Sequence, residues 1–67
     1  MRIFATYQDA LRMARADANT YGATQLVVDQ QGAYTPTGWQ YAVLAEDRGV
    51  PYAWSLVRTV QPGDSRP

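Results

Sequence analysis

Apolar side chains recur along this chain with two periods, and the change of period marks its elements. Between residues 7 and 21, Tyr7, Leu11, Ala14, Ala18 and Tyr21 follow one another at spacings of four and three. Those spacings gather them on one face of a helix. Gln8, Arg12, Arg15 and Asn19 make the opposite stripe. Thr6 is placed to cap the N-terminus, and Asp9 suits the positive end of the helix dipole. Gly22 can take the left-handed conformation that ends a helix. The apolar face is small in its middle, at Ala10, Ala14 and Ala18. Such a helix can approach a sheet closely where bulky side chains rise from the sheet.

From residue 24 the period drops to two. Leu26 and Val28 alternate with Gln25 and Val27, which predicts a strand over residues 24–29. Gln30-Gln31-Gly32 reads as a turn, and Ala33-Tyr34-Thr35 starts a return that Pro36-Thr37-Gly38 interrupts. A strand resumes over residues 39–45, Glu46-Asp47-Arg48-Gly49 turns, and residues 50–60 form the last strand. Pro51 cannot donate to a ladder, so it belongs at an edge or outside the pairing. Residues 2–5, with Ile3 and Phe4, make a short edge strand. The predicted order is β-α-β-β-β. This is an α+β domain over residues 1–60, with one helix packed on a small antiparallel sheet whose last three strands form a meander. Residues 61–67, with Pro62, Gly63 and Pro67, are expected to form a flexible tail.

The aromatic residues sharpen this picture. If Glu46 to Gly49 closes a hairpin, Val43 faces Tyr52, Tyr41 faces Trp54 and Trp39 faces Leu56, with Trp39, Tyr41, Tyr52 and Trp54 on one side of the sheet. That face is either the core or a recognition surface. A chain of 67 residues buries only roughly 60% of its unfolded surface and cannot easily leave two tryptophans uncovered. The alanine strip of the helix matches a bulky sheet face, so these four aromatics are expected in the core. Recognition then falls to what they leave exposed. The candidates are the helix stripe of Gln8, Arg12, Arg15 and Asn19, the reverse sheet face with Gln40, the turn residue Arg48, Arg58 on the last strand, and Tyr34.

Composition removes whole classes of chemistry. There is no cysteine and no histidine, so disulfides, thiol redox and the usual zinc sites are excluded. Six arginines balance six acidic residues, and lysine is absent. A neutral chain lacks the basic field of a nonspecific nucleic-acid binder, although each arginine remains a planar fork suited to carboxylates and phosphates. The only serines are Ser55 and Ser65, no histidine or lysine can serve as their base, and the glycines form no phosphate loop. Glu46 and Asp47 read as turn residues rather than metal ligands or an acid–base pair. No enzymatic activity, cofactor or metal is expected. No apolar run reaches the ~18 residues of a membrane span, and residues 1–6 are too short for a signal-peptide core. An intracellular, cytoplasmic location follows as the expectation.

In size, helix-then-meander layout and lack of catalytic motifs, the chain resembles the small accessory proteins of phages and mobile elements, including anti-CRISPR inhibitors. The resemblance covers the general layout. It implies a small protein-binding module that occludes a larger partner, such as a host nuclease or CRISPR effector complex. Two other functions fit the same residues. One is nucleic-acid binding by stacking on Trp39 and Trp54 with Arg12, Arg15, Arg48 and Arg58 on phosphates. The other is a structural role as a homodimer, or as an assembly component joined through a strand edge.

Overall fold

The computed structural model describes residues 2–31 and 38–64. The helix, α1, spans Tyr7–Tyr21, as the spacing predicts. Thr6 caps it, its Oγ1 accepting the Asp9 N–H at 3.2 Å, so an otherwise unpaired amide is satisfied. At the other end Gly22 has φ 63°, and both its amide and that of Ala23 donate to the Ala18 carbonyl. Ala10, Leu11, Ala14 and Ala18 are buried, which is the small-residue face described above.

Four strands make one antiparallel sheet: β1 (Arg2–Phe4), β2 (Gln25–Gln31), β3 (Trp39–Ala45) and β4 (Ser55–Val60). The α+β architecture with one helix on the sheet is therefore present. The strand order is β1-β3-β2-β4, and here the structure corrects the expected meander. The hairpin joins β2 to β3, with Val27 opposite Val43 and Gln31 opposite Trp39. β4 pairs with the far side of β2, so that Val27 faces Arg58 and Val28 faces Leu56. Val57 is the extra residue of a bulge at that point. β3 and β4 are not paired; they run parallel with β2 between them.

The physical reason lies in the composition of β2. Its residues Gln25, Leu26, Val27 and Val28 are all buried. A strand covered on both faces belongs at the centre of a sheet. The predicted aromatic hairpin would have left β2 with a single neighbour. With β3 and β4 parallel, residues 46–54 must return from the Gln25 end of β2 to its Asp29 end, a span of roughly 13 Å. This segment opens with the 3₁₀ turn Glu46–Arg48, closed by the Gly49 N–H on the Glu46 carbonyl. The turn is where the sequence places it, but it starts a crossover rather than closing a hairpin. The last strand accordingly begins at Ser55, not at residue 50.

This crossover redistributes the aromatics. Only Tyr41 serves the helix-side core as expected, packing edge-on against Tyr7 with ring centroids 6.1 Å apart. That core consists of Ala10, Leu11, Ala14, Ala18, Val27, Val43 and Val60. Trp54 packs instead against Leu26, Val28 and Ala42, on the opposite face of the sheet. Trp39 is 45% exposed, and Tyr52 is 99% exposed. The four residues do not form one face. Small aliphatic side chains fill the centre, because an alanine-lined helix this close to the sheet leaves room for valines rather than indoles.

The described part of the C-terminal segment, residues 61–64, folds back on the domain. Gln61 to Asp64 form a turn closed by the Asp64 N–H on the Gln61 carbonyl. Asn19 accepts the Gly63 N–H at 2.8 Å, and the Asp64 carboxylate meets Arg58 Nη2 at 3.1 Å. These residues are pinned to the helix and to β4. The remainder of the expected tail, residues 65–67, lies outside the described residues, as do residues 32–37 with Tyr34.

Candidate interaction surface

The two edges of the sheet are built differently. β1 is three residues long, and the Arg2 guanidinium lies over the Phe4 ring at 5.3 Å. A short strand carrying a charge is a protected edge. β4 is twice as long and has no neighbour beyond it among the described residues. Ser55, Leu56 and Val57 are all exposed, Leu56 by 52% and Val57 by 41%. The bulge at Val57 bends the strand, yet no charged side chain guards its first three residues.

The segment leading into β4 extends this apolar surface. Val50 is exposed, and Tyr52 stands clear of the protein at the tip of a tight turn. The Trp54 N–H donates to the Pro51 carbonyl at 3.1 Å, and Ala53 has φ 72°. That is the arrangement of a type II turn, whose third position favours glycine. An alanine there carries roughly 1 kcal/mol of backbone strain. Trp54 anchors the turn from below by packing on Leu26, Val28 and Ala42, so Tyr52 is presented on a fixed support. Among the described residues, four of the seven exposed large apolar side chains, Val50, Tyr52, Leu56 and Val57, fall within residues 50–57.

The described residues singled out from sequence fall in four separate places. Gln8, Arg12 and Arg15 come together, lining with Leu11 a surface cavity of about 300 Å³ on α1. Arg12 is largely exposed and stands 3.7 Å from Asp9, an exposed pair that contributes little. Asn19 and Arg58 are engaged in holding the C-terminal turn. Arg58 Nη1 donates to the Tyr7 hydroxyl at 3.4 Å, and Nη2 contacts both Asp64 carboxylate oxygens at 3.3 and 3.1 Å. The pKa of Arg58 is raised above its ordinary value, chiefly by the Tyr7 hydroxyl; burial opposes the shift and Asp64 adds to it. Gln40 accepts a hydrogen bond from Gln30 Nε2 at 3.0 Å across the β2–β3 pair. Arg48 stands apart from these, on the crossover.

Arg48 does border a groove of about 650 Å³ between α1 and the Leu44–Ala45 end of β3, beyond the reach of β1. Asp17, Gln25, Val43 and Pro51 complete its lining. Its buried amide, Gln25 Nε2, already donates to the Ala23 carbonyl at 3.2 Å. Its two charged lining residues, Asp17 and Arg48, are of opposite sign. Among the described residues no group of three acidic side chains is arranged to hold a metal ion, and no helix is long and apolar enough to cross a membrane.

Compared with protein-family models, curated proteins and solved structures, the chain matches none. The sequence pattern does not reveal the surface over residues 50–57, because the alternation at Tyr52 and Trp54 reads as a core hairpin. The signal that could have found it is the run of two-sided burial in β2, which demands a neighbour on each side.

Proposed function

We propose that this chain is a protein-binding module that engages its partner through residues 50–57 and the first half of the β4 edge. The observation that carries the reading is the asymmetry between the two edges. One is short and guarded by arginine, while the other presents Leu56 and Val57 beside a fully exposed tyrosine. An uncapped edge offers unpaired backbone groups to an extended segment of a partner, and the flanking side chains add apolar contact. Tyrosine at the centre of such a surface is a frequent source of binding energy. The absence of charge at Ser55, Leu56 and Val57 points to an uncharged, apolar partner strand rather than to a polyanion. Binding of this kind lets a 67-residue chain act by occluding a larger partner. A nuclease or CRISPR effector complex is the class suggested by the chain's layout.

The test compares capture from a source-organism lysate by the natural protein, by a Leu56→Lys/Val57→Lys variant and by an Arg12→Glu/Arg15→Glu variant. The proposal predicts a discrete partner that the β4 variant loses and the helix variant keeps. Equal capture by the β4 variant and the natural protein contradicts it. Light scattering across concentration separates a foreign partner from a second copy of the chain on the same edge.

A further inference from the structure

Arg15 belongs to the polar stripe of the helix, yet part of its guanidinium is hidden from water. Its Nε and Nη2 atoms are shut off from solvent and have no hydrogen-bond partner. These two nitrogens form one edge of the guanidinium, where two N–H bonds point the same way. That edge matches the two oxygens of a carboxylate or phosphate. Buried donors in native proteins are nearly always satisfied, so an empty fork calls for an explanation.

Among the described residues no carboxylate pairs with these two nitrogens. Asp64 is held by Arg58, Asp9 is the acidic neighbour of Arg12, and Asp17 lines the groove beside Arg48. The surroundings of Arg15 are those of an anion site. It shares its 300 Å³ cavity with Arg12, a second cation, and with Gln8, whose amide can donate. Gln8 and Arg12 are both exposed, on long side chains that can change rotamer.

We propose that the Gln8, Arg12 and Arg15 notch binds a single oxyanion group, a carboxylate or a phosphate monoester. Arg15 holds it through two parallel hydrogen bonds, Arg12 supplies the second positive charge, and Gln8 closes over it. The zero net charge of the chain limits the site to one anionic group rather than a nucleic-acid backbone, which needs a track of cations. This site is independent of residues 50–57, so either proposal can fail without the other.

Inorganic phosphate and acetate, titrated separately at constant ionic strength against the ¹⁵N-labelled protein, test it. The Arg15 Nε–H resonance should shift saturably with at least one anion, and the better ligand names the source. Arg15→Met should weaken that binding by about tenfold or more, with Arg48→Gln as the unaffected control. Arg15→Met should also raise the melting temperature in the absence of anion, because it removes buried donors without a partner. A merely structural arginine would give the opposite shift. The proposal is overturned if neither anion perturbs Arg15, if Arg15→Met binds as well as the natural protein, or if Arg15→Met melts lower. Binding of single-stranded DNA with no response to either small anion also overturns it.

Discussion

Truncating Leu56 distinguishes the observed strand order from the hairpin that the sequence suggests. In that hairpin Leu56 lies opposite Trp39 within an aromatic core, and Leu56→Ala would cost about 2–5 kcal/mol, the range for a buried leucine. In the structure Leu56 sits on an edge strand opposite Val28 and is 52% exposed. Full burial of a leucine is worth roughly 1.5–3 kcal/mol, so half burial limits the loss to about 1 kcal/mol. Val27, fully buried at the centre of β2, is the internal standard. Val27→Ala removes two methyl groups and leaves a cavity, for about 2–3 kcal/mol. A domain of this size has a total stability of about 3–10 kcal/mol, so the second change threatens folding and the first does not. Urea unfolding followed by circular dichroism reads both, and each kcal/mol moves the melting temperature by roughly 4–8 °C. A Leu56→Ala loss equal to or larger than that of Val27→Ala would refute the placement of β4 at the edge.

Three further outcomes follow from the local geometry. Ala53→Gly should stabilise the protein by about 0.5–1 kcal/mol, because glycine takes the positive φ at that turn position without strain; thermal melts check this, and a destabilised variant would show that the turn is not strained. Thr6→Ala should cost about 1 kcal/mol through loss of the cap on the Asp9 amide, with the helical signal at 222 nm fraying before the global transition; an unchanged melt argues against the cap. Because the pKa of Arg58 is raised in the folded state, its contribution is fully present below the ordinary arginine value and is lost only as pH rises through the raised one. The contribution of Arg58, read as the stability difference between the natural protein and Arg58→Met, should therefore be flat between about pH 5 and 9 wherever Asp64 stays ionised.

Local structure was legible in the sequence, and long-range pairing was not. The helix, its Thr6 and Gly22 ends, the β3 segment and the two faces of β2 all follow from spacing, because period and capping chemistry act over a few residues. Strand order has no such local signature. Alternation at Trp39 and Tyr41 is satisfied by any antiparallel neighbour, so the choice between β2 and β4 rests on which strand is buried on both faces. Leu26 to Val28 carry that information, but the glutamine at position 25 makes one face look polar, and Gln30-Gln31 reads as a turn although β2 runs on through Gln31. Tyr52 and Trp54 were misplaced for a related reason. A period-two pattern continues through Pro51 and Ala53, although the chain there is a turn. At the helix arginines the spacing places Gln8, Arg12 and Arg15 on one stripe, but it cannot show that two nitrogens of Arg15 are buried without a partner. That depends on packing, not spacing.

The central claim is that residues 50–57 form the contact surface, and site-specific photo-cross-linking tests it most directly. A benzophenone side chain placed at position 57, and in a separate protein at position 21 on the far end of α1, would be irradiated in source-organism lysate. The account predicts one discrete adduct from position 57 and none from position 21. Excess unlabelled natural protein should suppress the adduct, and the unlabelled Leu56→Lys/Val57→Lys variant should not. An adduct from position 21 alone, or suppression by the variant as effective as by the natural protein, would contradict the account.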